Sequence, residues 1–265
     1  MMVIQWSSDF GLNLIIKTEM RKTGKFVLQT LIIIVMASRG FSQETPSYDK
    51  INTSAGIVEM HFIGHGSLMF KVNGSVIHID PVSSSGNYDF LPKADIILVT
   101  HEHGDHLDAT LIGTLKKQGT LVFCNPNAAK TIPWAMVMTD GGRQEVKNIV
   151  IEAVPAYNIV NERAPGQPFH PKGQGLGYVL TIGGKKFYIA GDTENTPEMK
   201  ALKNIDVAFL PMNLPYTMTP AMVADAASSF KPSILYPYHF GETNTDELVN
   251  LLKDSGIEIR IRNLK

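Results

Sequence analysis

A chain of 265 residues that is 44% hydrophobic and 18% charged, with a formal net charge of −1, has the composition of an ordinary globular protein. That excludes a disordered or collagen-like chain. With neither sign of charge in excess, it also gives no ground for a surface that tracks nucleic acid or anionic lipid.

The N-terminus reads as a targeting segment. Met20-Arg21-Lys22-Thr23-Gly24-Lys25 is basic, Phe26 to Ala37 is an apolar run broken only by Gln29 and Thr30, and Ala37-Ser38-Arg39-Gly40 leads out of it. A basic head, a short apolar middle and a small-residue exit are the parts of a secretory signal peptide over 20–42. The run is short of the ~20 residues a membrane-spanning helix takes. The expectation is therefore export to a bacterial periplasm or the medium, translation from Met20, and no stable membrane insertion after cleavage. An uncleaved N-terminal anchor is the alternative. Residues 1–42 are assigned to this extension, 43–56 to a polar linker and 57–265 to one domain, a length that suits a single core.

Strands are predicted at 57–62, 67–72 and 75–79, with Asn73-Gly74 as the hairpin turn between the last two. Asp95-Ile96-Ile97-Leu98-Val99-Thr100 reads as another strand, and Leu107, Leu111 and Leu115 recur at one-turn spacing, so a short helix follows. The only cysteine, Cys124, lies in the apolar stretch Leu121-Val122-Phe123-Cys124 and reads as a buried small hydrophobe. Further strands are predicted at 149–153, 177–182, 186–190 and 206–210, with Gly183-Gly184 as a turn. Thr219-Pro220 opens a helix to about Phe230, and Asn244 with Glu247 caps another. The run 257–261 alternates as a half-buried strand does. Two apolar strands end in a carboxylate at a turn, Val76-Ile77-His78-Ile79 before Asp80 and Phe187-Tyr188-Ile189-Ala190-Gly191 before Asp192, a faint sign of internal duplication.

Chemistry concentrates in Thr100-His101-Glu102-His103-Gly104-Asp105-His106, which holds three of the chain's eight histidines. Imidazole and carboxylate are the ligand types of zinc and similar ions. His101 and His103 leave a strand two residues apart and can face one side, while Asp105 and His106 lie beyond Gly104, where the chain can turn. One short loop can thus serve two neighbouring ions.

His-x-His-x-Asp-His after an apolar strand resembles the signature of the metallo-β-lactamase superfamily. Further motifs stand in the matching order: Ile63-Gly64-His65-Gly66-Ser67 and Ile79-Asp80-Pro81 before the cluster, Ala190-Gly191-Asp192-Thr193 and Tyr236-Pro237-Tyr238-His239 after it. The set is most similar to the branch containing ascorbate-6-phosphate lactonase and N-acyl-phosphatidylethanolamine phospholipase D. The resemblance implies an α/β fold, an αββα sandwich of two mixed sheets flanked by helices, with the metals at one edge. It implies His101 and His103 on a first metal, Asp105, His106 and His239 on a second, and Asp192 bridging both. Many relatives carry a histidine where this chain has Asn158, so His170 is expected as the third ligand of the first metal; otherwise Asn158 or water completes that site and His170 contacts substrate. Asp80 is expected to orient a ligating histidine, and His61 and His78 to be structural.

Two divalent ions sharing a water can hold it as hydroxide at neutral pH. The implied activity is hydrolysis of an ester, lactone or phosphodiester of a small molecule. Asp105 orients the nucleophile in that scheme, and His65 or Tyr238 moves the proton. Zinc is favoured by the ligand types, while manganese or iron would suit the carboxylates. No nucleic-acid partner is expected, and oligomeric state is not legible. A catalytically silent metal- or ligand-binding protein on the same fold is the competing expectation.

Overall fold

The computed structural model describes residues 46–265, so the targeting segment and the proposed start at Met20 lie outside the described residues. The first sheet runs in chain order: β1 (Tyr48–Thr53), β2 (Gly56–Gly64), β3 (Ser67–Val72), β4 (Ser75–Ile79), β5 (Ile96–Val99), β6 (Leu121–Cys124) and β7 (Met136–Val137). The first four strands form an antiparallel meander, and the last three are added in parallel. Asn73 and Gly74 both take left-handed backbone, φ 47° and 75°, as the tight turn between β3 and β4 demands. Helix α1 (Ala109–Leu115) crosses from β5 to β6, and the Asp108 carboxylate caps it by accepting the Leu111 N–H.

The second sheet contains β8 (Arg143–Val146) and β9 (Ile149–Ala156). A separate small hairpin follows, β10 (Glu162–Ala164) with β11 (Gln167–Pro168). The sheet resumes with β12 (Gly175–Ile182), β13 (Lys185–Ile189), β14 (Val207–Pro211), β15 (Ile234–Tyr238) and β16 (Glu258–Ile259). Helices α2 (Pro197–Lys200), α3 (Pro220–Phe230) and α4 (Thr245–Leu252) fall between these later strands. Here too four strands are antiparallel and the remaining three joins are parallel. The two halves therefore follow one plan. β4 and β13 each stand fourth in their sheet, and they deliver Asp80 and Asp192.

Aromatic rings join the sheets face to face: Phe70 meets Phe187 at 5.7 Å between centroids and Phe62 meets Phe209 at 6.4 Å. On β5 the period of two decides both faces. Ile96 and Leu98 enter the core between the sheets, while Ile97 and Val99 pack with Leu111, Ile112 and Leu115 of α1. Burial on both sides is why this strand is apolar at every position. α3 covers the second sheet, where Phe230 meets Tyr188 edge-on. The result is the expected α/β sandwich of two mixed sheets with helices outside.

The linker expected over 43–56 is corrected. Tyr48–Thr53 is an edge strand paired with β2, alternating exposed and half-buried residues. Its polarity is that of a strand with one face in water. Asp49 ties it to the far end of the chain through Arg262 at 2.6 Å and Arg260 at 3.3 Å. Strands β6, β7, β8 and β15 and the β10–β11 hairpin were not anticipated. Cys124 lies buried on β6, where burial pushes its thiol up to about 11.

Candidate metal centre

The expected ligands leave the carboxyl ends of strands at one edge of the sandwich. His101 to His106 follow β5, Asp192 follows β13, His239 follows β15, and His170 arrives from the segment after β11. Their donor atoms form three overlapping groups: His101, His103 and His170; His101, His106 and Asp192; and His65, Asp105, His106 and His239.

In the first group, His103 Nδ1 lies 3.1 Å from His101 Nε2 and 3.2 Å from His170 Nε2. The surrounding hydrogen bonds fix where the protons are. Thr100 Oγ1 donates its one proton to Asp80 Oδ2 at 2.7 Å, so it must accept from His101 Nδ1 at 3.0 Å. Asn158 Oδ1 accepts the His170 backbone N–H and its Nδ1–H, both at 2.8 Å. The Asn158 amide nitrogen donates to the Tyr216 carbonyl at 2.9 Å and to Glu194 at 3.2 Å, which sets its orientation. His101 and His170 are thus Nδ1-protonated, and their Nε2 lone pairs point into the site. His170 brings its imidazole into the first group, and Asn158 stands behind it.

Across the second and third groups, His106 gives Nδ1–H to Asp80 at 2.8 Å and aims Nε2 at Asp192 Oδ1, 3.4 Å away. His239 Nε2 lies 3.4 Å from Asp105 Oδ2 and 3.5 Å from Asp192 Oδ2. Asp192 Oδ2 also faces His170 at 3.4 Å and His101 at 3.8 Å, so its carboxylate reaches members of all three groups. Gly66 makes room for this: a Cβ there would come 2.8 Å from His106 Cε1, a ring that Asp80 holds in place. His65 packs against His239 with tilted rings, 3.8 Å between centroids, with Nε2 3.2 Å from Asp105 Oδ2 and Nδ1 3.1 Å from the Lys265 carbonyl. Tyr238 is wholly buried against Phe209, facing the core, and is not placed to pass a proton to substrate.

These residues fit bound cations. His106 Nε2, His239 Nε2 and Asp192 Oδ1 are buried without a hydrogen-bond partner, although such an atom costs about 1–3 kcal/mol when left unmade. Each belongs to a group whose donor atoms a cation could bind: His106 and His239 in one, His106 and Asp192 in another. Burial lowers His101 far below the usual histidine range and His170 to about 4, which keeps both lone pairs free. Burial also acts to lower His106, but Asp192, Asp80 and Asp105 together carry it up to about 9. Burial acts to raise Asp192 and Asp105, yet the histidines around them pull both well below the carboxylate range. His101 and His170, held neutral beside ionised carboxylates, are in the state that metal binding requires, whereas His106 would give up its Nε2 proton to a cation.

A cavity of about 480 Å³ opens over the site, walled by Arg163, Phe169, Asn213 and Tyr216. That size suits a small-molecule ligand. Glu194 was not anticipated. Its buried carboxylate accepts backbone N–H groups from Ile159, Val160 and Asn161 at 2.7–2.8 Å, and so shapes the turn that presents Asn158. Nothing in Gly191-Asp192-Thr193-Glu194 separates it from a surface acid, since its partners lie more than thirty residues away.

Comparison with known proteins places the chain in a family. The sequence model for the beta-lactamase superfamily domain matches residues 59–239. A UPF0173 metal-dependent hydrolase of Lysinibacillus sphaericus is 30% identical over 218 residues, covering 76% of this chain and 96% of its own. The crystal structure of a Parabacteroides distasonis protein assigned to the metal-dependent hydrolases superposes with a TM-score of 0.79 at 48% identity, over 83% of this chain and 99% of that one. A metallo hydrolase of Ignicoccus hospitalis shares the fold, with a TM-score of 0.64 at 22% identity over 78% of this chain and 95% of that one.

Proposed function

The chain belongs to the β-lactamase superfamily of metal-dependent hydrolases, and from that premise we propose that it uses two divalent cations, zinc foremost, to cleave an ester, lactone or phosphodiester of a small molecule. The observation that carries this reading is the buried Asp192 carboxylate, which faces His106 through one oxygen and His101, His170 and His239 through the other. His101, His103 and His170 would hold one ion, Asp105, His106 and His239 the other, and Asp192 both. Ions there would lower the pKa of a water and polarise the oxygen under attack.

The chain's own residues supply the rest. Asp105, half-exposed at the cavity, accepts a hydrogen bond and so orients the attacking water. His65 lines the same cavity and, 3.2 Å from Asp105, is placed to give a proton to the departing group. Phe169 and Tyr216, their rings 5.1 Å apart, wall off bulk water on one side. The motif likeness to the ascorbate-6-phosphate lactonase branch puts lactones and phosphodiesters first among candidate substrates. Export, inferred from the segment 20–42, predicts a mature N-terminus near Gln43 by mass spectrometry; an intact Met1 or Met20 would refute it. Among the described residues no helix is long and apolar enough to cross a membrane.

Elemental analysis of protein purified without chelator tests the core of the proposal, followed by turnover assays with lactones, aryl esters and phosphodiesters. About two ions per chain and turnover of one class are expected. One ion or none overturns the dinuclear centre, and two ions without turnover would leave a metal-binding protein.

A further inference from the structure

Beside the cavity over the metal groups lies a second hollow of about 440 Å³, lined by Arg163, Gly166, Gln167 and Pro168 of the β10–β11 hairpin, and Arg163, Phe169 and His170 line both. The hairpin register slips between Glu162 and Ala164, which places a bulge at Arg163. Bulges beside active sites re-aim a side chain. Here the guanidinium lies 5.4 Å from the centroid of the Phe169 ring and donates Nη2–H to the Phe169 carbonyl at 3.3 Å. Phe169 directly precedes His170, so the cation is tethered to the residue next to a metal ligand.

Arg163 has no carboxylate partner within 4 Å among the described residues, whereas the acids around it are committed. Glu102, in the second hollow, accepts from Asn125 and Asn127 at 2.9 Å each. Asp105 and Asp192 belong to the metal groups. Glu162 on the same hairpin accepts from the Gly166 N–H. One of the guanidinium's five donors is used, leaving a planar fork open beside the reaction site. With two divalent ions against two carboxylates, the loaded centre is itself positive.

We propose that Arg163 is a specificity-determining residue that binds an anionic group, a carboxylate or phosphate, carried by the substrate beside its scissile bond. This rests on the hydrolytic reading above for the identity of the ligand as a substrate. A substrate anchored at both places would span the two hollows, its reacting carbonyl or phosphoryl group toward Asp192 and its anionic group toward Arg163.

The test is calorimetric binding of butyrate, the dicarboxylates from succinate to adipate, and 3-phosphonopropionate to the metal-loaded protein. At least one two-headed anion is expected to bind about 10-fold or more tighter than butyrate, since a hydrogen bond to a charged group is gained. That advantage shrinks toward about 1-fold in Arg163→Met and survives in part in Arg163→Lys, which keeps charge but loses the fork. A thermal midpoint near wild type shows that each variant is folded. The larger gain, dicarboxylate or phosphonate, identifies the anionic group. No gain across the whole series, or a gain that Arg163→Met leaves untouched, overturns the proposal. Selective binding without turnover of any ester or phosphodiester would retain the anion site and discard the hydrolytic reading instead.

Discussion

Asn158 and His170 grip each other from both sides: the His170 backbone N–H and Nδ1–H meet the Asn158 side-chain oxygen, and the Asn158 N–H meets the His170 carbonyl at 2.9 Å. The sequence poses these residues as rivals for one ligand position. In the fold they are an imidazole and its support, because an amide oxygen that accepts Nδ1–H leaves Nε2 free for a cation. Asn158→Ala is expected to weaken the first ion about 10–100-fold while the second is kept, read by competition with a chromophoric chelator. Unchanged affinity at both sites would show that packing alone orients His170.

Asp80 reaches further. One carboxylate accepts the Thr100 backbone N–H and hydroxyl, both at 2.7 Å, and His106 Nδ1–H at 2.8 Å. It therefore orients His106 directly and His101 through Thr100, one histidine of the third group and one of the first. Asp80→Asn preserves a residue type that tolerates the left-handed backbone found here, φ 43°. It replaces one acceptor with a donor and leaves an N–H unpaired. Both ions are expected to bind about 10–100-fold more weakly, in contrast to Asn158→Ala. A loss confined to one ion would mean that the route through Thr100 carries nothing.

The site was legible where its ligands are local in sequence. His101 to His106 occupy six consecutive positions, whereas Asp192 and His239 stood out only through the family resemblance, one being an ordinary turn aspartate by itself and the other following a strand, β15, that was not anticipated. His170 emerged only as the nearest imidazole to a departing Asn158, because the segment carrying it is irregular. Glu194 left no trace, since its role is to satisfy backbone groups of a distant turn. The same physics hid β1: an edge strand has one face in water, so Tyr48–Thr53 reads as polar chain until β2 is beside it.

His65 distinguishes ligand from proton carrier. Its nitrogen falls within the group formed by Asp105, His106 and His239, yet its two ring nitrogens already face Asp105 and the Lys265 carbonyl. His65→Gln is expected to keep about two ions per chain and to lower kcat by about 10²–10⁴-fold, the usual loss for a general acid. Loss of one ion per chain would instead make His65 a ligand.

His78 carries a pH dependence remote from the ions. It is buried on β4, donates Nε2–H to the Pro92 carbonyl at 3.0 Å, and packs near Tyr88 at 5.9 Å between ring centroids. Burial lowers it to about 4, with the Pro92 bond acting the other way and His61 adding slightly to the fall. The folded protein therefore holds His78 neutral, while the unfolded chain takes up a proton near 6.5. Stability from this group is complete above 6.5 and drains as the pH falls toward 4, at about 1.4 kcal/mol per unit. Carboxylates paired with Lys or Arg, such as Asp49 and Asp95, lose their own contribution lower on the scale, so the comparison must be with His78→Gln. Urea unfolding between pH 7.5 and 4.5 is expected to show the wild type losing stability more steeply than that variant below 6.5. Parallel slopes would mean that His78 accepts its proton inside the fold, through the free Nδ1 that faces no partner there.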